Sequence, residues 1–158
     1  MNVNEIHEVG IIAGGIPLVS RRYTESERDR NQNEKEQEQQ NIFKSAYISS
    51  ILAFAEKLSD QVEYFEMKKK HITFKKDQIN SEDVYAYIIL ENEKNFGKIF
   101  EKAIKPLLEE IIIRFRQKYG KLKSFTDVSQ FEEFKSFFDE KVEELTKSRF
   151  QSFKDKIF

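Results

Sequence analysis

A nearly continuous apolar run at residues 84–90, with the sequence VYAYIIL, constrains the fold of this chain most strongly. A short run of this kind, bounded by polar residues, predicts a β-strand that is buried on both faces. Such a strand lies inside a sheet that carries a further layer on each side. Hydrophobic residues make up 39% of the chain and charged residues 35%, which allows a packed core beneath a heavily charged surface.

The beginning of the chain has the pattern of a β-hairpin. Residues 6–13 and 16–23 are short apolar-rich runs separated by Gly14 and Gly15, which can adopt the positive φ values of a tight turn. Pro17 has no backbone N–H and is tolerated mainly at an edge or at the start of a strand. The second strand is therefore predicted to lie at an edge of the sheet.

A helix is predicted at residues 42–58, after a stretch at 24–40 that contains no apolar side chain. The polar stretch cannot bury surface by itself, and it is interpreted as a flexible connector or a solvated helical extension. The helix is indicated by apolar residues at three- and four-residue spacing. These residues are Phe43, Tyr47, Ile51, Phe54 and Leu58, with Ile48, Leu52 and Ala55 alongside. Their apolar face is wider than one face of a sheet ordinarily covers.

Three strands are predicted next, at residues 62–67, 71–75 and 84–90, and they form a meander. In the first of these, Val62 and Tyr64 lie on one face, whereas Phe65 and Met67 lie on the other. Lysines at 68–70 form a basic turn, and a polar stretch at residues 77–83 separates the second of these strands from the third.

Two helices complete the chain. An apolar stripe from Phe96 to Tyr119 predicts a long helix with a kink or break around residues 103–105, because Pro106 interrupts it. Gly120 is expected to end this helix in the left-handed conformation. The last helix is predicted to begin near Asp127 or Ser129, the latter having capping-box spacing with Glu132. Its apolar stripe is Phe131, Phe134, Phe138, Val142 and Leu145, continued by Phe150, Phe153 and Ile157.

The predicted order is therefore β-β-α-β-β-β-α-α, which defines an α+β fold. We expect a five-stranded antiparallel sheet with one helix on one face and two on the other. The helix between the second and third strands must cross from one edge of the sheet to the other. Residues 1–158 are interpreted as a single domain with a polar insertion at 24–40.

Composition argues against several classes of protein. The formal net charge is -1, which gives no overall attraction to nucleic acid or to an anionic membrane. Cys is 0, so disulfides and thiolate zinc sites are impossible, and a cytoplasmic location is the natural expectation. No apolar run reaches the roughly 18 residues of a membrane span, and the first residues lack the pattern of a secretory signal.

No catalytic, metal or cofactor site is predicted. His7 and His71 are far apart in sequence and lack metal-ligand spacing, so each is interpreted as a surface or sheet-face histidine. The acidic pairs 109–110, 132–133 and 143–144 lie on helices, where charged residues normally form the solvated face. Gly14 and Gly15 are not followed by a phosphate-binding motif, which favours the hairpin turn.

Three segments together resemble longin domains, of the longin and roadblock group found in vesicle-trafficking proteins and regulators of small GTPases. They are GGIPLVSRRY in the hairpin, FKSAYISSILAFAEKL in the predicted helix, and YFEMKKKHITF in the next strands. The chain resembles in particular the stand-alone longin-like proteins of archaea. Roadblock domains differ because they begin with a helix. The insertion at 24–40 departs from the compact longin pattern.

The resemblance implies protein binding without enzymatic activity. The expected partner is a small GTPase, a second longin or roadblock domain, or a helical segment in a groove beside the predicted helix and the third strand. The candidate partner-binding residues are Phe43, Tyr47, Ile51, Val62 and Tyr64. Two alternative functions remain open: a purely structural module that forms homodimers or heterodimers, and an enzyme that uses carboxylates. A third possibility is that the apolar stripe of the helix predicted at 42–58 packs only against the core and binds no partner.

Overall fold

A computed structural model describes residues 6–23, 63–92 and 94–145, together with positions 39 and 50. These residues form an α+β fold around a five-stranded antiparallel sheet, which confirms that part of the prediction. The strands are β1 (Ile6–Ala13), β2 (Ile16–Arg22), β3 (Tyr64–Glu66), β4 (Lys70–Ile79) and β5 (Glu82–Glu91). Their order in the sheet is β2-β1-β5-β4-β3. The predicted helix at 42–58 lies outside the described residues.

The hairpin of β1 and β2 forms where the sequence predicts it. Gly14 and Gly15 have φ values of 59° and 77°, as a tight turn between antiparallel strands requires. Pro17 lies opposite Ile12, and β2 is at an edge of the sheet, as expected. The register shifts next to Ile12, where β2 carries an extra residue.

The predicted strand bounds 71–75 and 84–90 are too short, because β4 and β5 extend into the polar stretch between them. Their ladder runs to the pair Ile79 and Glu82, and the turn consists of Asn80 and Ser81 with φ values of 53° and 68°. Ile79 is only 3% exposed and packs into the core, so a single apolar residue anchors the end of this polar hairpin. Most of the polar residues at 77–83 therefore occupy exposed positions at the ends of two long strands.

Among the described strands, β2 and β3 follow one another in the chain but lie at opposite edges of the sheet. The positions of these two strands confirm the expectation that the chain passes from one edge of the sheet to the other between them. The strand β5 lies in the centre, and its alternate residues belong to two separate apolar clusters. This agrees with a strand buried on both faces.

The helical region after β5 is interrupted where Pro106 predicts an interruption. It consists of α1 (Phe96–Ile99), a π-helical turn (Phe100–Ile104) and α2 (Lys105–Tyr119). Proline donates no hydrogen bond and its ring crowds the preceding turn, so the backbone widens just before it. The predicted break therefore takes the form of a π-helical turn.

The end of α2 differs from the sequence prediction, whereas the start of the next helix agrees with it. Gly120 has φ −65° and ψ −14°, which is right-handed rather than left-handed, because its amide still donates to the Arg116 carbonyl oxygen at 2.8 Å. At the next helix the cap is Asp127, whose side chain accepts a hydrogen bond from the backbone N–H of Ser129 at 3.2 Å. A 3₁₀ helix, Val128–Phe134, begins there, and α3 follows at residues 135–145.

Both described helical stretches pack on the same face of the sheet, where phenylalanine supplies most of the large buried rings. Phe115 lies at the centre of this layer and contacts Phe131 at 5.5 Å and Phe134 at 5.6 Å between ring centroids. The opposite face carries a second buried cluster, formed by Ile12, Ile72, Phe74, Tyr85, Tyr87 and Ile89, with Phe65 packed against it.

Candidate partner-binding surface

The outer edge of β3 carries Tyr64, the one candidate partner-binding residue that lies within the described part of the chain. Tyr64 is opposite Thr73 of β4, and its side chain is on the face covered by the helices. Phe65 is on the other face, where it packs against Phe74. This alternation confirms the predicted separation of these two side chains.

Tyr64, His71, Phe96 and Phe100 form a group of rings that we call the edge cluster. The Tyr64 ring meets Phe96 edge-on at 4.9 Å and Phe100 at 5.1 Å between centroids. Such edge-to-face geometry is favourable because the positive rim of one ring meets the negative face of the other. Tyr64 is nevertheless 40% exposed, so one side of its ring is held by the protein and the other is open.

His71 lies beneath Tyr64 and is 3% exposed. Its ring stacks on Phe96 with centroids 3.6 Å apart and planes 10° apart. The Nδ1 atom is buried and makes no hydrogen bond with any described residue. Burial lowers the pKa of His71 below its ordinary value of 6.5, and the carboxylate of Glu66 opposes this effect only in part.

A second exposed apolar side chain, Met67, follows β3 and is 44% exposed. It begins a tight turn in which its amide donates to the Lys70 carbonyl oxygen at 2.7 Å. The lysines at 68–70 surround this turn and are exposed to solvent. The edge of the sheet therefore presents Tyr64 and Met67 next to a basic turn.

The remaining candidate residues, Phe43, Tyr47, Ile51 and Val62, lie outside the described residues. Of the five, the structure therefore positions only Tyr64. Sequence reasoning placed His71 on a sheet face, but it did not connect His71 with Phe96 or Tyr64. No local signal reveals such a contact, since the three residues belong to three different elements.

Three polar side chains, one each from β1, β2 and β5, form a buried cluster that the sequence did not reveal. Glu8 is almost fully buried, and it accepts hydrogen bonds from the Tyr87 hydroxyl at 2.5 Å and from Arg22 Nε at 3.2 Å. Burial and the nearby Glu8 carboxylate raise the pKa of Tyr87 well above its ordinary value, so the hydroxyl remains a donor. Arg22 compensates the Glu8 charge, and the contacts join side chains of three strands.

The acidic pairs on the helices remain at the surface, as the sequence predicts. Lys141 joins Glu110 and Glu144 at 2.8 Å and 3.2 Å, and Lys135 joins Glu132 at 2.7 Å. Within the described ranges no group of three or more His, Cys, Asp or Glu side chains could hold a metal ion. In the same ranges, no helix has both the length and the apolar character needed to cross a membrane.

The described residues thus define a class: an α+β protein with a five-stranded antiparallel sheet, a helical layer on one face and an exposed aromatic edge. Comparisons with protein-family models, with curated proteins and with solved structures gave no match.

Proposed function

We propose that this chain is a non-enzymatic protein-interaction module of the longin type, which binds a small GTPase as a trafficking-type adaptor or regulatory subunit. The observation that carries the proposal is the strand order β2-β1-β5-β4-β3. This order places the hairpin at one edge of the sheet and starts the three-stranded meander at the other edge, which supports the proposal. The assignment of function rests on the resemblance of the sequence to longin domains, because a fold alone does not define a function.

The edge cluster supplies a suitable anchor for a partner. Tyr64 is exposed, yet its ring is fixed from below by Phe96 and Phe100. An aromatic side chain that is already ordered loses little conformational entropy on binding, and tyrosine is enriched among the residues that dominate interface energies. Met67 adds an adaptable apolar contact beside it.

The direct test is binding to the purified small GTPases of the source cell, each loaded with GDP and with a non-hydrolysable GTP analogue. We expect one of them to bind in a nucleotide-dependent manner. The substitutions Tyr64→Ser and Met67→Ser should each weaken binding, by about 30-fold for the tyrosine if it is a hot spot. Binding of no GTPase in either nucleotide state would contradict the proposal.

A matched control is available on the helical layer, away from the sheet edge. Ile113 of α2 is 56% exposed and contributes nothing to the edge of β3. The substitution Ile113→Ser removes a comparable exposed apolar side chain, and it should leave GTPase affinity unchanged. Equal losses from Ile113→Ser and Tyr64→Ser would show that the binding surface lies elsewhere.

The second candidate function is dimerisation with another longin or roadblock domain, or with a second copy, through an edge strand. The observation in its favour is that the two edges differ: β2 contains Pro17, which removes a backbone donor, whereas β3 contains no proline. A stable dimer in light scattering that becomes monomeric with Glu66→Pro supports this alternative. A monomeric chain that binds a GTPase selects the first proposal.

A further inference from the structure

The histidine of the edge cluster is in an unusual position for a titratable group. His71 is buried opposite Glu66, at the last paired position of β3, and it is covered by the exposed candidate residue Tyr64. The Tyr64 and His71 ring centroids are 6.0 Å apart. A change in the charge of His71 therefore acts directly beneath the proposed docking surface.

The neutral imidazole is compatible with this site, but the imidazolium is not. In the neutral form with the proton on Nε2, the buried Nδ1 carries only a lone pair, which can remain without a hydrogen bond at moderate cost. Protonation places an N–H and a positive charge on that atom. No described residue accepts a hydrogen bond there.

The groups facing His71 from the surrounding elements are Tyr64 and Glu66 of β3, Leu90 of β5, and Phe96 of α1. Of these, Glu66 alone carries a charge, and it is exposed, so solvent screens its attraction for an imidazolium. The face of Phe96 also attracts a cation. Burial outweighs these effects, since the pKa of His71 is lowered rather than raised.

The weakest element around His71 is β3, which spans 3 residues and pairs within the described sheet with β4 alone. Local opening of such a strand costs far less than opening β4, which is paired on both sides. We propose that protonation of His71 releases β3, together with Tyr64, from the sheet edge. The edge would then be a docking element that acidification opens. The consequence for partner binding rests on the proposed function, whereas the opening itself does not.

Amide hydrogen exchange tests the opening in the full chain without any partner. Two amides report on β3: Met67, which donates to the Lys70 carbonyl oxygen, and Phe74, which donates to the Glu63 carbonyl oxygen at 3.1 Å. Between about pH 7.5 and about pH 5.5 we expect their opening constants, corrected for intrinsic exchange, to rise about tenfold. The amide of Ile88, at the centre of the sheet, should show no such rise.

Two variants separate His71 from general acid effects. His71→Phe keeps a stacked ring and removes the titration, so the increase at Met67 and Phe74 should disappear. His7→Gln removes the other histidine, which lies 3.4 Å from Glu91, and should retain the increase. An opening constant that is independent of pH in the wild type, or an increase that persists in His71→Phe, overturns the proposal.

If His71→Phe does not fold, the imidazole signal of His71 in the wild-type chain provides the deciding measurement. The midpoint of its pH titration should lie below the ordinary 6.5, and the rise in the β3 opening constant should begin near 6.5 and level off below that midpoint. A midpoint above 6.5 overturns the proposal. GTPase binding is measured separately at neutral pH, so failure of the proposed function and failure of this switch are distinguishable.

Discussion

Tyr87 lies directly against the backbone of Gly10, across the ladder that joins β1 and β5. A Cβ atom at Gly10 would be 2.5 Å from the Tyr87 hydroxyl oxygen and 2.6 Å from two ring carbons. The absence of a side chain at Gly10 therefore creates the space in which the tyrosine reaches Glu8.

Gly10→Ala should displace the Tyr87 ring and destabilise the protein by about 1–3 kcal/mol, the usual cost of overpacking. Urea unfolding measures this change in the free energy of unfolding. The control is Gly97→Ala in α1, where a Cβ atom meets nothing within 4 Å. That substitution should be neutral or stabilising by up to about 1 kcal/mol. Equal effects of the two substitutions would contradict the proposed role of Gly10.

Ser81→Gly should stabilise the protein. Ser81 has a φ of 68°, a left-handed conformation that costs a residue with a side chain about 1–2 kcal/mol and costs glycine little. After allowance for the greater entropy of glycine in the unfolded chain, we expect a gain of about 0.5–1 kcal/mol. Thermal unfolding measures it as an increase in Tm. An unchanged or lower Tm would show that Ser81 is not strained.

Gly14→Ala tests the same effect in the opposite direction at the other tight turn. Gly14 has a φ of 59°, and a Cβ atom added there would meet nothing within 4 Å, so only backbone conformation opposes the alanine. A loss of about 1 kcal/mol is expected in the same thermal assay. A neutral result would mean that the hairpin turn can adopt another conformation.

Asp127→Ala should cost more than Ser129→Ala. Asp127 accepts hydrogen bonds from both the backbone N–H and the hydroxyl of Ser129, so it is the cap of the last helix. Removing a capping side chain costs about 0.5–2 kcal/mol. Urea unfolding of both variants measures the difference. A larger loss from Ser129→Ala would instead support the capping box suggested by the sequence.

Tyr119→Phe should make the protein less sensitive to alkaline pH. Burial, together with the hydrogen bond to Glu133, raises the pKa of Tyr119 to about 12. Below the ordinary value of 10.0 the phenol is protonated in both states, but between 10.0 and about 12 the unfolded chain loses this proton while the folded chain keeps it. The stabilisation is therefore lost as pH rises through this range.

Urea unfolding of the wild type and of Tyr119→Phe, at several pH values from about 9 upward, tests this linkage. The free energy of unfolding should fall more steeply in the wild type. Tyr23 and Tyr87 also have raised pKa values, so the variant retains part of the pH dependence. Parallel curves for the two proteins would rule out a contribution from Tyr119.

The parts of the fold that the sequence predicts well are those encoded by neighbouring residues. Gly14 and Gly15 between two apolar runs define the first hairpin, and Pro106 locates the interruption of the long helix. The strand extensions around Asn80 were missed because their exposed side chains are polar, and only Ile79 reports the buried face. Alternation cannot be recognised when one face contributes a single apolar residue.

The candidate site was predicted less completely because its contacts join distant parts of the chain. Tyr64 was selected from its position on a strand, but its contacts with Phe96 and Phe100 depend on how α1 packs. Likewise, Glu8 is acceptable inside the protein only because Arg22 and Tyr87 reach it from two other strands. A buried charge and its compensating groups cannot be matched from one sequence without the sheet order.

The pairing of β1 with β5 also determines when β1 acquires its second neighbouring strand during synthesis. Val9 is aligned with Ile88, so β1 must wait until β5 has emerged from the ribosome before it has its inner neighbour. An isolated two-stranded hairpin is at best marginally stable in water. Contacts between such distant segments also slow folding. Nascent chains that stop before β5 would therefore expose the apolar inner side of β1 to chaperones and to one another.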